Sequence, residues 1–129
     1  MGFEERTFKA AQLITRKGAG VLPWMRSGTV TVAGDALVIP TTHAYVIKTT
    51  ADDAEALTLA NGSPGQEIVI NLTTDGGGDG TLTPATSTGW ATVVLADAGD
   101  QITVRYINAT IGWLLIGAKG VVAPPVTSV

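Results

Sequence analysis

The sequence predicts an all-β fold, an antiparallel β-sandwich or barrel of the jelly-roll kind, joined to an extended N-terminal arm. Three observations carry that prediction. Gly, Thr, Val and Ala are abundant while aromatic residues make up only 5% of the chain, a balance that favours short strands and tight turns over helices. Apolar and polar residues alternate with a period of two along much of the chain. Turn-forming residues separate these runs at intervals of about ten residues, the rhythm of sandwiches and barrels. At 129 residues one domain can bury its own core, and with no cysteine neither a disulfide nor a zinc-thiolate site is available.

The elements follow in order. Residues 1–28 show no clean repeat and include Gly18, Gly20, Pro23 and Gly28, so they read as an arm that orders only against something else. The body spans 29–122. Residues 29–33 alternate Thr and Val, Gly34-Asp35 marks a turn, and 37–39 form a second short strand. Residues 43–50 make a third, 51–55 are polar, 57–59 make a fourth, and Asn61-Gly62-Ser63-Pro64-Gly65 is a loop. In QEIVINLT, Gln66, Ile68, Ile70 and Leu72 share one face, with Glu67, Val69, Asn71 and Thr73 on the other, as in a sheet with one wet side. DGGGDG, residues 75–80, reads as a flexible hairpin tip. Strands at 81–83, 89–96, 101–108 and 111–118 complete eight or nine in all. Pro124 and Pro125 cannot join a ladder and start a loose tail over 123–129.

Charge divides the chain. Residues 1–26 carry five basic and two acidic side chains, whereas 27–129 carry three basic and nine acidic ones, for a net −3. So acidic a body is a poor match for nucleic acid, which requires clustered Lys and Arg. The basic arm suits an anion or an acidic protein surface. No apolar run reaches the roughly 20 residues of a membrane span, and the N-terminus has no signal-peptide core, so a soluble protein made in the cytoplasm is expected.

Motifs that could carry chemistry are sparse. Asp75, Asp79 and Gly80 fall at positions of a calcium loop, but Gly77 and Thr86 stand where two further ligands belong. Gly18-Ala19-Gly20 lacks the third glycine of a dinucleotide fingerprint. His43 is the only histidine, and its place in a strand beside Tyr45 suits a packing or surface role better than a triad. Asp52 and Asp53 are adjacent and would point apart. Asn61-Gly62-Ser63 matches a glycosylation acceptor but is followed by Pro64, and Asn71 and Asn108 begin matches expected in a Thr-rich chain. No catalytic residue, metal ligand or cofactor site is assigned, and the expectation is a protein that is not an enzyme.

Interface signals are stronger. Along 111–118 both faces are apolar, with Ile111, Trp113 and Leu115 on one and Leu114 and Ile116 on the other. Such a strand is either central to a sandwich or covered by another chain. Trp113, Leu115 and Ile116 are the expected subunit contacts. In the arm, Leu22, Trp24 and Met25 form a compact apolar plug, flanked by Arg16, Lys17 and Arg26. Trp90 and Trp113 each follow a glycine at a strand start, which suits core or interface packing, with ligand stacking as the other reading.

Residues 57–118, containing TLANGSPGQEIVINLTTDGGGDGTLTPATSTGWATVVLADAGDQITVRYINATIGWLLIG, resemble the β-rich bodies of tailed-bacteriophage capsid decoration (cement) proteins and of some head- and tail-fibre domains. The shared features are a Gly-Gln strand, a Gly-rich hairpin ending in Thr-Leu-Thr-Pro, an Asp-x-Gly-Asp turn and a terminal Gly-Trp strand. The resemblance implies a homotrimer on the outer capsid surface of a virion, with arms clamping neighbouring major capsid proteins. A receptor- or glycan-binding head or tail-fibre domain is the alternative it leaves open.

Overall fold

The structure, a computed structural model, describes residues 26–121. The arm residues Arg16, Lys17, Leu22, Trp24 and Met25 and the tail over 123–129 lie outside them. The described residues form nine strands and no helix: β1 (Thr29–Val32), β2 (Val38–Ile39), β3 (Tyr45–Thr49), β4 (Glu55–Leu59), β5 (Glu67–Thr74), β6 (Gly80–Pro84), β7 (Val93–Leu95), β8 (Gln101–Tyr106) and β9 (Trp113–Lys119).

They make two facing sheets, one in the order β1-β3-β5-β8-β9 and the other in the order β2-β4-β6-β7. The chain crosses from the first sheet to the second three times, through β1–β2, β3–β4 and β5–β6. Each crossing lies parallel to the one before it. A fourth pass runs backwards: β7 pairs antiparallel with β6, and β8 with β5. β9 folds back on β8 as the last edge of the larger sheet. The described residues thus form three stacked rungs of a parallel coil, closed by antiparallel strands.

This corrects the expected antiparallel jelly-roll, and neither sheet closes into a barrel. The reason is physical. Alternation reveals which face of a strand is buried, not which way its neighbour runs. Parallel strands need a crossover, and here the strand in the opposite sheet serves as that crossover, so short loops are compatible with parallel pairing.

The core lies between the sheets. Val46, Ile68, Ile70, Leu72, Ile102 and Val104 from the larger sheet meet Ile39, Leu57, Leu59, Leu82, Val93 and Leu95 from the smaller, all at 1% exposure or less. Burial of each such side chain stabilises by roughly 1.5–3 kcal/mol. The alternation expected across QEIVINLT is realised, with Gln66, Ile68, Ile70 and Leu72 all buried.

DGGGDG is not a free hairpin tip. It carries the chain from β5 to β6 and stacks on the preceding loop: Gly78 N donates to Ala51 O at 2.9 Å, and Gly76 N donates to Thr50 Oγ1 at 3.2 Å. A Cβ at Gly76 would collide with the Thr50 carbonyl, and one at Gly78 with that of Asp53. The glycines are there because two backbones touch.

Candidate interaction surface

The parallel rungs place loops 33–37, 50–54 and 75–79 at one end of the sandwich, joined by 96–100. Loops 40–44, 60–66, 85–92 and 107–112 lie at the other. These ends hold nearly all the buried polar chemistry of the described residues.

At the first end Lys48, on β3, is completely buried and forms a 2.7 Å ion pair with buried Glu55, on β4. Its ammonium also donates to the carbonyls of Ala33 and Ala36 at 2.8 and 2.9 Å, which ties rung two to the loop of rung one. Glu55 Oε2 accepts from the amides of Asp35 and Ala51, at 3.1 and 2.6 Å. Burial alone pushes the Glu55 carboxyl up. The Ala51 amide, the Lys48 ammonium and the Asp35 amide outweigh that and hold it below its ordinary value of 4.5. The pair was not foreseen. Its signal was available: Val46, Lys48 and Thr50 share a face by period two, so a lysine was directed into the core.

Asp100 plays a similar part nearby, since its Oδ2 accepts from the amides of Ala96 and Asp97, both at 2.9 Å. It closes its own turn. Asp75 Oδ1 likewise accepts from Gly77 N at 2.8 Å, and Asp52 and Asp53 lie exposed in a bend. Among the described residues no three His, Asp or Glu side chains come together to hold a metal ion.

The second end is built from aromatic N–H groups and one amide. Trp113 donates its indole N–H to Ala60 O at 3.0 Å, Trp90 donates to Trp113 O at 2.9 Å, and Tyr106 meets the Trp113 ring edge-on at 5.2 Å. Gln66, fully buried, donates to Thr41 O at 2.7 Å and accepts from Ser63 N at 2.9 Å. Arg26 donates to Thr41 O at 3.2 Å and to Ser63 Oγ at 3.5 Å. His43 shares a 2.8 Å hydrogen bond with Thr42 Oγ1.

The expected subunit contacts divide. Trp113 is 0% exposed, buried within its own chain, and so has no surface to offer a second subunit. The correction has a plain cause: the Gly112 turn, which admits no side chain against the Thr86 carbonyl, brings Trp113 in beneath the loops. Leu115 packs against the core. A bulge opposite Thr103 and Val104 leaves Ile116 as the extra residue on β9, 48% exposed. Of the arm residues assigned to docking, only Arg26 is described, and it holds loops 41 and 63.

Among the described residues, exposed large apolar side chains are few. Leu37 and Val38 lie at edge strand β2, Ile116 is on edge strand β9, and Tyr45 stands on the outer face of the larger sheet. Beside Tyr45 lies an open groove of ≈ 740 Å³ lined by Arg26, Pro64, Glu67, Val69 and Arg105 among others. On its wall, Arg105 pairs with Glu67 on the neighbouring strand, with Nε at 3.0 Å.

No protein-family model matches the chain, and no curated protein is significantly similar to it.

Proposed function

We propose that this chain is a structural virion protein that decorates and stabilises the outer surface of a phage capsid as a homotrimer, clamping neighbouring major capsid proteins. The supporting observation is where the exposed apolar residues lie. Val38 and Ile116 sit on the edge strands β2 and β9, with Leu37 just before β2, and exposed apolar residues on sheet edges are surfaces for other chains. A trimer related by a three-fold axis covers the same edge on every subunit. Three arms, each with the Leu22, Trp24 and Met25 plug and the Arg16, Lys17 and Arg26 charges, bind together far more firmly than one.

The test is co-sedimentation with shells assembled from the major capsid protein of the same genome. The full chain is expected to occupy the shells, and a chain lacking residues 1–25, which keeps the Arg26 contacts to Thr41 and Ser63, to fold but not bind. Full occupancy by the shortened chain would remove the docking role from the arm, and no binding by the full chain would remove the decoration reading.

One observation favours the alternative, a receptor- or glycan-binding head domain. The groove beside Tyr45 joins an exposed aromatic ring to Arg26 and to the Arg105–Glu67 pair, the mixture of stacking face and charged hydrogen-bonding groups that sugars use. A glycan array separates the two readings: binding abolished by Tyr45→Ala favours the receptor domain.

A further inference from the structure

The three asparagines of the described residues sit in different settings. Asn71, on β5, donates its amide to Gln101 Oε1 at 3.2 Å. Asn108 uses its side-chain oxygen to accept from the amides of Thr110 and Ile111, at 2.9 and 2.7 Å. Asn61 is exposed in loop 60–66, and among the described residues no hydrogen bond holds either its carboxamide or the backbone N–H of the next residue, Gly62. The side-chain carbonyl and the nitrogen able to attack it are both free of hydrogen bonds.

The glycine is imposed by packing. A Cβ at position 62 would stand 2.5 Å from Gln66 Oε1 and 3.0 Å from the Trp113 ring. The tryptophan end therefore excludes a side chain there. That same exclusion removes the steric shield that larger residues give to the backbone nitrogen following an asparagine. The loop is pinned further along, at Ser63, Gly65 and Gln66, so the stretch without hydrogen bonds is Asn61-Gly62 itself.

We propose that Asn61 is a site of spontaneous deamidation through a succinimide formed with Gly62. The Gly62 nitrogen, after losing its proton to hydroxide, attacks Asn61 Cγ, and a C–N bond forms. The tetrahedral intermediate takes a proton from water and expels the side-chain nitrogen as ammonia, leaving a five-membered imide. Water then opens the ring on one side or the other, giving aspartate or isoaspartate. No oxidant or reductant takes part. The product adds one negative charge to a chain already at −3. The isoaspartate form also lengthens the main chain by a methylene between the Ala60 carbonyl, which holds Trp113, and the Ser63 amide, which holds Gln66. Ageing thus acts on the hydrogen bonds of the tryptophan end.

The experiment holds the folded full chain at mildly alkaline pH, withdraws samples over time, and weighs the digested peptides. The peptide carrying Asn61 is expected to gain the mass of an amide-to-acid exchange, faster as pH rises, while the peptides carrying Asn71 and Asn108 do not. Asn61→Gln, at an exposed position, is expected to fold normally and to lose the acidic species seen on ion exchange. Retention of the Asn61 amide, or its conversion no faster than that of Asn71 and Asn108, would overturn the proposal.

Discussion

At the end of the sandwich made by loops 33–37, 50–54 and 75–79, the rungs are held together by a buried charge pair and by glycines that let backbones touch. At the opposite end, the loops are held by indole N–H groups and the Gln66 amide under an aromatic cover. The comparison shows two ways of closing the same coil. A buried charge demands a partner, so the first end is intolerant of losing either member. Aromatic closure distributes its contribution over area and several hydrogen bonds, those of Arg26 to Thr41 and Ser63 among them, so it degrades by degrees.

The difference is broken most severely by Lys48→Met. Leaving Glu55 buried without its cation is expected to cost about 4 kcal/mol, read as a shift in the denaturation midpoint in urea. Adding Glu55→Leu restores part of that loss but not all, because the Ala33 and Ala36 carbonyls and the Asp35 and Ala51 amides still lack partners. A double variant as unstable as the single one would show that the charge itself is unimportant. Gly78→Ala comes next, at about 3 kcal/mol, since the Asp53 carbonyl must move to admit the methyl group.

Acid gives a reversible version of the first test. The Glu55 carboxyl lies below its ordinary value of 4.5 in the folded chain, so its contribution is fully present above 4.5 and is lost as pH falls through the folded value. Stability measured by thermal unfolding is expected to drop over that window, and the Lys48→Met, Glu55→Leu double variant to drop less. An equal drop in both would assign the acid sensitivity elsewhere.

At the tryptophan end Trp113→Phe removes one indole N–H and leaves the Ala60 carbonyl unsatisfied, an expected cost of about 2 kcal/mol by chemical denaturation. At the bottom of the scale, Glu67→Ala breaks an exposed ion pair on the outer sheet face and is expected to change stability by less than about 1 kcal/mol. A larger loss there would mean that the outer face, not the ends, governs stability.

Much of this was legible in the residues. The alternation of QEIVINLT identifies the buried face of β5 correctly, and the turn residues locate most strand boundaries. Strand direction was not legible, because period two is blind to it and the rungs recur at unequal spacing, leaving no repeat to detect. DGGGDG read as a hairpin tip because three glycines suggest freedom; in the fold two of them, Gly76 and Gly78, lie directly against the backbone of the preceding loop. Trp113 read as an interface residue because both faces of its strand are apolar, yet the ordinary alternation of β9 turns Trp113 and Leu115 toward the core and leaves Ile116 out. The Lys48–Glu55 pair escaped notice because the two residues belong to different strands and meet only when the chain crosses between sheets.

The proposal that edge strands β2 and β9 are made for other copies is tested most directly by the solution mass of the purified full chain, measured by light scattering over a dilution series. A stable trimer is the predicted result, converted to smaller species by Ile116→Lys with Val38→Lys. A monomer at every concentration would contradict the assembly on which the capsid reading depends.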